Sequence, residues 1–353
     1  MKTSYKERDV IVLLKDITGK LQALSLSERE KRRQQGVHYS EMLPLEYQFS
    51  TDYLKLYQQI LSKYSKKTAY AVSQLADKII SQKGKDVTLV SLARAGTPVG
   101  ILLKRYILKK YNIDAPHYTI SIILKRGIDH NAMKYILGKH KSETIQFIDG
   151  WTGKGSILKE LQESLILYPN ISTNLAVLAD PAHLTSLYGT QEDFLLPSAC
   201  LGSTVSGLFS RTVLNNDVIS ENDFHGAAYF EYLEDKDVSY EFIESIEKHF
   251  DNPEPIEKSS NNINMTINGS QEVKDILQAL GISKTGIIKP GIGEATRSLL
   301  RNSPNKILVK NINDTQYIEA ILQLAKEKQV PVEEYPLRNY RACGILERAE
   351  AHI

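Results

Sequence analysis

Apolar positions along the chain follow two rhythms. Up to about Ser81 they recur at helical spacing: Leu54, Tyr57, Leu61 and Tyr64 share one face, as do Ala69, Val72, Ala76 and Ile79. This predicts a mostly helical N-terminal region. From Asp86 the pattern alternates. Strands are expected at Asp86–Leu92, Tyr118–Leu124, Thr144–Ile148 and Leu175–Leu178. Helices are expected at Val99–Lys110 and Ser156–Leu167, the latter with Leu158, Leu161 and Leu165 on one face. Such alternation marks a mostly parallel sheet with helices on its faces. Asp251–Ser270, rich in Asn, Ser, Pro and Gly, reads as a linker. Beyond it the pattern gives helix Glu272–Leu280 ending at Gly281, helix Glu294–Arg301, strand Lys306–Lys310, helix Thr315–Lys328 and a strand near Val330–Val332. The expected division is a helical region over 1–85 packed on the core, an α/β domain over 86–250, a linker over 251–270 and a small α/β domain over 271–353.

Composition adds exclusions. With 353 residues, 42% hydrophobic and 24% charged, the chain suits two or three globular domains. A net charge of +2 announces no nucleic-acid partner, so only local clusters can. No apolar h-region follows Met1-Lys2 and no apolar run is long enough to span a bilayer, so a cytoplasmic location without a membrane partner is expected. Two cysteines, Cys200 and Cys343, are too few for a disulfide framework and make no zinc site without histidine. No metal ligands are singled out, and the oligomeric state stays open.

Candidate chemistry centres on Asp149-Gly150-Trp151-Thr152-Gly153-Lys154-Gly155, between a strand and the helix from Ser156. A strand, a glycine-rich turn and a helix N-terminus aim unpaired backbone N–H groups at one spot, with the positive end of the helix dipole behind them. Glycines after a strand also make plain tight turns. A nucleotide P-loop is excluded, because its first Gly would stand where Ile148 does. A run of apolar residues, an acid and Thr-Gly-x-x-Ser resembles the phosphoribosyl-diphosphate (PRPP) loop of the type I phosphoribosyltransferases. The resemblance implies that Asp149 binds the ribose hydroxyls and that Thr152, Gly153, Lys154, Gly155 and Ser156 wrap the 5-phosphate. Gly150 replaces the usual second acid, and the loop is shorter.

Two further segments fit the same resemblance. Ala93-Arg94-Ala95-Gly96-Thr97-Pro98 follows a strand and resembles the family's diphosphate loop. Arg94 would grip the diphosphate, and Gly96 would let the backbone approach it. Lys125-Arg126-Gly127-Ile128-Asp129-His130 falls where family members carry a mobile hood. Lys125 and Arg126 would close over the diphosphate, or else form a solvated basic turn. Asp129 and His130 could help bind metal or substrate, and His38 is an outlying candidate. Mg²⁺ is implied through the diphosphate of PRPP.

Asp193–Leu214 is dense in small and hydroxyl residues around Cys200, and His225 follows in Asp-Phe-His-Gly. Cys200 and His225 could form a thiolate–imidazolium pair, with Asp180 or Asp193 orienting the base. Alternatively Cys200 is a buried structural residue. Ser203, Thr204, Ser206, Ser210 and Arg211 could face a phosphate or nucleobase instead. In the C-terminal segment, Lys289-Pro290-Gly291-Ile292-Gly293-Glu294-Ala295-Thr296-Arg297 resembles the pelota and kink-turn RNA-binding fold. Lys289, Gly291, Gly293, Glu294 and Arg297 would contact structured RNA, with Gly293 standing where the usual Asn would be. Five basic residues against one acid between Lys289 and Lys310 give a local charge of +4.

The order of segments resembles a bacterial group of phosphoribosyltransferase-like proteins with a C-terminal pelota domain from tellurite-resistance and stress operons, also labelled the cysteine protease StiP family. That resemblance implies the fold: a type I phosphoribosyltransferase-like parallel sheet with N-terminal helices plus a small pelota-like α/β domain. It implies a PRPP-binding enzyme that transfers phosphoribose to a nucleobase or related acceptor, and a C-terminal domain that binds RNA. The alternatives are a cysteine protease using Cys200 and His225, or a non-catalytic sensor of PRPP or a nucleotide.

Overall fold

The computed structural model describes residues 1–256, 268–302 and 304–346. The first domain is built on a six-stranded parallel sheet of β1 (Ile11–Val12), β2 (Thr88–Leu92), β3 (His117–Ile120), β4 (Ile145–Trp151), β5 (Ala176–Ala179) and β6 (Tyr188–Thr190). The spatial order is β1-β3-β2-β4-β5-β6, every pairing parallel. From β2 the chain moves outward to β3, then returns to the other side of β2 as β4. The order therefore reverses between β2 and β4, and the helices that follow these two strands lie on opposite faces of the sheet, the kind of point where ligands collect in such folds.

Both faces of the sheet are covered, and for that reason Thr88-Leu89-Val90-Ser91-Leu92 is buried at every position. On one side lie α2 (Thr51–Lys83), α3 (Gly96–Tyr111) and α6 (Ser239–Glu247), whose apolar residues meet Leu89, Ile148 and Leu178. Ser50 caps the long α2 through the Tyr53 amide, and Gly84, at φ +70°, ends it. On the other side α4 (His130–Leu137) and α5 (Ser156–Leu165) set Met133, Ile136, Leu158 and Leu161 against Val90, Phe147 and Val177.

The N-terminal region departs from its helical expectation. The 33-residue α2 and the short α1 (Leu26–Gln34) are helical, but β1 joins the main sheet and Lys15–Asp16 pairs with Gly226–Ala227. Residues 1–85 are thus part of the core rather than a layer laid upon it. The strand expected over Tyr118–Leu124 breaks after Ile120, and Ile122–Ile123 turns into a small hairpin with Gly127–Ile128.

The C-terminal domain is a four-stranded sheet of β7 (Ile288–Pro290), β8 (Pro304–Val309), β9 (Val332–Glu334) and β10 (Ala342–Leu346), in the order β7-β10-β8-β9. β10 runs antiparallel to both its neighbours. One face packs on α7 (Gly269–Ala279), and the other on α8 (Ile292–Arg301) and α9 (Thr315–Glu327). Helix α7 begins inside the expected linker, of which residues 257–267 lie outside the described residues. The apolar cluster beneath α8 and α9 is continuous with that of the first domain, and the Tyr64 hydroxyl donates to the Gln316 carbonyl at 2.8 Å. No helix among the described residues is long and apolar enough to cross a membrane.

Candidate functional site

The loops leaving β2 and β4 meet where the strand order reverses. Arg94 follows β2, and its side chain is only 3% exposed. One terminal nitrogen pairs with Glu46 at 2.8 Å and the other donates to the Phe209 carbonyl at 2.9 Å, while its Nε has no acceptor among the described residues. Gly96 is held against β4: a Cβ there would lie 2.4 Å from the Ile148 carbonyl oxygen. Its missing side chain thus serves strand–helix packing, not the expected approach of a ligand.

Strand β4 runs three residues past the expected end at Ile148, through Asp149, Gly150 and Trp151, so Asp149 is carried on the strand itself. Its carboxylate accepts the Gly150 N–H at 2.8 Å. Burial pushes the Asp149 carboxyl up to about 7, against the opposing pull of the Gly150 amide and the Arg297 guanidinium. Thr152 is tied inward, its amide to the Ala179 carbonyl at 3.0 Å and its hydroxyl to Asp180. The N–H groups of Gly153, Lys154, Gly155 and Ser156 have no hydrogen-bond acceptor among the described residues. Gly155, at φ +84°, turns the chain into α5, whose N-terminus lacks a side-chain cap. Four amides at a helix start are therefore left without an internal acceptor, an arrangement that suits an anion.

The C-terminal domain lies over this loop. A Cβ on Gly293 would lie 3.0 Å from the Trp151 ring, and one on Gly153 would lie 3.2 Å from Glu294. The Arg297 guanidinium sits 4.7 Å from the Trp151 ring centroid. The Tyr340 hydroxyl donates to the Gly153 carbonyl at 3.0 Å, and the Lys154 ammonium to that of Thr285 at 2.5 Å. Burial, helped by the like charge of Lys289, pushes the Lys154 ammonium down to about 8. Asp193 accepts the amides of Ile292 (3.0 Å) and Arg341 (2.8 Å), fixing the start of α8. The gap left in this seam is about 10 Å³. Gly291, Gly293, Glu294 and Arg297, expected to meet RNA, thus lie at or beside the seam with the chain's own glycine-rich loop, and Lys289 is half-buried beside Lys154.

Beside Arg94 opens a cavity of about 320 Å³, whose wall includes Arg29, Arg211, Arg301, Lys328 and Glu46. Of the hydroxyl-rich segment, Leu201, Gly202 and Arg211 line this cavity. The Ser206 and Ser210 hydroxyls bond backbone carbonyls, and the Ser203 amide donates to Glu46 at 3.2 Å. Burial and the neighbouring guanidinium groups of Arg29 and Arg94 push the Arg211 pKa down to about 10. Burial alone would raise the Glu46 carboxyl, but Arg94 and Arg301 hold it below the usual carboxylate range. Sequence patterns did not reveal Arg29, Glu46, Arg301 and Lys328, which come from separate segments with no motif around them.

Other candidates stand elsewhere. Arg126, in the Ile122–Ile128 hairpin, pairs with Glu41 at 2.5 Å, and the Lys125 amide donates to Glu160 at 2.7 Å; neither lines the cavity. Asp129 caps α4 through the Ala132 amide at 3.0 Å and accepts the His225 amide at 2.6 Å, a structural role. His130 bonds the Tyr168 hydroxyl, and His38 the Ser40 hydroxyl. Cys200 is fully buried in the apolar core, and burial pushes its thiol up to about 12. Tyr53 and Arg297 are the groups that act on the thiol, whereas the His225 ring bonds Ser121 beside Asp129 and His130. The structure does not bring Cys200 and His225 together. Asp180 and Asp193, considered as their orienting acids, bond Thr152 and the α8 amide respectively. Among the described residues no group of three or more His, Cys, Asp and Glu side chains is arranged to hold a metal.

Comparisons with known proteins bear on both domains. The family described as "Tellurite-like stress resistance cysteine protease StiP" matches residues 3–247, and the "PELOTA RNA binding domain" matches residues 267–348. The protein named "Cysteine protease StiP" of Acinetobacter baylyi (strain ATCC 33305 / BD413 / ADP1) is 32% identical over 363 aligned positions, covering 98% of this chain and 94% of that protein. Among solved structures, a hypoxanthine-guanine phosphoribosyltransferase from Bacillus anthracis str. 'Ames Ancestor' aligns with a TM-score of 0.28 at 13% identity, covering 37% of this chain and 82% of that one. A Helicobacter pylori xanthine-guanine-hypoxanthine phosphoribosyltransferase aligns with a TM-score of 0.25 at 16% identity, covering 34% and 78%. With a first domain matched over nearly its whole length and a relative similar from end to end, this chain belongs to the StiP family and carries a pelota domain in its C-terminal part.

Proposed function

We propose that the first domain binds PRPP and transfers its phosphoribosyl group to a nucleobase or related acceptor, and that the C-terminal domain binds structured RNA, in a tellurite or stress response. One observation carries the PRPP reading: four amides without an internal acceptor among the described residues, Gly153 to Ser156, open α5 on the loop that follows Asp149 in β4, with Arg94 on the loop after the neighbouring β2. The amides take the 5-phosphate. Asp149, ionised above about pH 7, precedes that loop on β4 and takes the ribose hydroxyls. Breaking the bond between the anomeric carbon and the diphosphate oxygen leaves positive charge on the sugar and negative charge on the departing group. The Asp149 carboxylate offsets the first, and the Arg94 guanidinium the second. Mg²⁺ brought on the diphosphate supplies further neutralisation there. Because α8 closes the seam over the loop, the ligand reaches the amides only when α8 shifts.

Calorimetric titration with PRPP and Mg²⁺, followed by an assay for released diphosphate, tests this reading. Saturable heat that Asp149→Asn weakens supports it; no heat at millimolar ligand refutes it. Binding without diphosphate release would make the chain a sensor instead. The name of the Acinetobacter relative brings a peptidase reading with Cys200 as nucleophile and His225 as base. Its requirement is a thiolate beside an imidazole, and full peptidase activity in Cys200→Ala would end it.

A further inference from the structure

The cavity beside Arg94 is lined by five cations and one carboxylate, a net charge of +4. Arg29 comes from α1, Arg94 from the loop after β2 and Arg211 from the hydroxyl-rich segment, while Arg301 ends α8 and Lys328 follows α9. Two domains thus contribute to one wall. Glu46 is committed to Arg94 at 2.8 Å, and among the described residues Arg29, Arg211, Arg301 and Lys328 make no ion pair with a carboxylate. Unpartnered N–H groups remain: Nε of Arg94, buried at 5% exposure, Nε of Arg29 and a terminal nitrogen of Arg301. Lys328 lies over the Tyr47 ring, 4.5 Å from its centroid. Burial and the like charges of Arg297 and Arg94 push the Arg301 pKa well down. Cations crowded this way without counter-charge are destabilising unless an anion joins them.

We propose that this cavity is a binding site for a phosphoanhydride chain, and that it is complete only when the C-terminal domain is seated and supplies Arg301 and Lys328. Guanidinium forks match phosphate oxygens in pairs, and several arginines on one wall suit adjoining phosphates better than a single carboxylate. About two or three phosphates balance the charge, since each ionised phosphate carries roughly one to two negative charges. The chain can come from PRPP or from a nucleoside di- or triphosphate, and the two share this chemistry. The site meets the proposed ribose and 5-phosphate site only at Arg94, so the two readings can fail separately.

The test uses the full chain with inorganic diphosphate and tripolyphosphate, followed by calorimetry and thermal melting at low and high salt, with sulfate at equal ionic strength as control. Both ligands are expected to raise the melting temperature saturably, tripolyphosphate binding more tightly, with affinity falling as salt rises. Arg301→Gln and Arg211→Gln should each weaken binding roughly ten- to a hundredfold. Their ligand-free melting temperatures should equal or exceed the parent's, because each removes a crowded like charge and shows that the fold persists. Asp149→Asn should bind diphosphate as the parent does while binding PRPP more weakly than the parent. No response of the parent beyond that to sulfate overturns the site, as does undiminished binding by both arginine variants. Diphosphate binding without PRPP binding leaves the site standing and removes the transferase reading.

Discussion

Asp149→Asn separates the energetic cost of a functional carboxylate from its use. The Asp149 carboxyl is held at about 7, chiefly by burial, against an ordinary value near 3.9. Its folded-state pKa is raised, so the folded protein binds the extra proton. Stability at this position is therefore fully present below about pH 4 and declines as the pH rises to about 7, beyond which the cost is constant. The interval corresponds to about 4 kcal/mol, reduced to about 2 kcal/mol because the half-buried carboxyl retains some water. Asparagine keeps an oxygen for the Gly150 amide and never ionises. The stability gained by the variant should be about 1–2 kcal/mol larger at pH 8 than at pH 5. Urea unfolding at the two pH values measures this through the fluorescence of the single tryptophan, Trp151, two residues away. PRPP affinity should fall in the same variant, the usual exchange of stability for function. A gain independent of pH would refute the argument that burial raises the carboxyl.

Three further outcomes follow from the seam and the core. Trp151→Ala removes the ring against which Gly293 and Arg297 pack; about 2–4 kcal/mol of domain docking should go, seen as faster amide exchange over Ile292–Arg301, and unchanged exchange would contradict it. Gly293→Asn, which introduces the residue usual in the pelota fold, places a Cβ 3.0 Å from the Trp151 ring; docking should weaken by about 1–3 kcal/mol, and binding of a kink-turn RNA in a mobility-shift titration should tighten. If RNA binding is instead unchanged while exchange rises, the seam does not withhold that surface. Cys200 and Cys343 are both buried, with thiols pushed up by burial; neither should react with iodoacetamide at pH 8 until the protein unfolds, and rapid native labelling of Cys200 would revive the nucleophile reading.

The sequence by itself determined what is local. The 3.6-residue spacing along α2, α5 and α9, the apolar runs of β2 and β4, and the glycine turn before Ser156 all act through neighbours in the chain, and the structure has them within a few residues of expectation. Two-residue strands such as Ile11–Val12 are too short to leave a period, and β10 reads as central only because it pairs with both β7 and β8. Motif spacing also singled out Arg94, Asp149 and the amides of the proposed cradle as candidates. It could not show that the pelota loop faces that cradle, because Trp151 and Gly293 are far apart in the chain and neither side of the seam carries a signal of the other. The cavity cations are a sharper case: Arg94 and Arg211 stood out in their segments, but Arg29, Arg301 and Lys328 each read as an ordinary polar position. Their chemistry arises from like charges being held at short range by the packing of two domains, a property of distance in space that no spacing along the chain encodes.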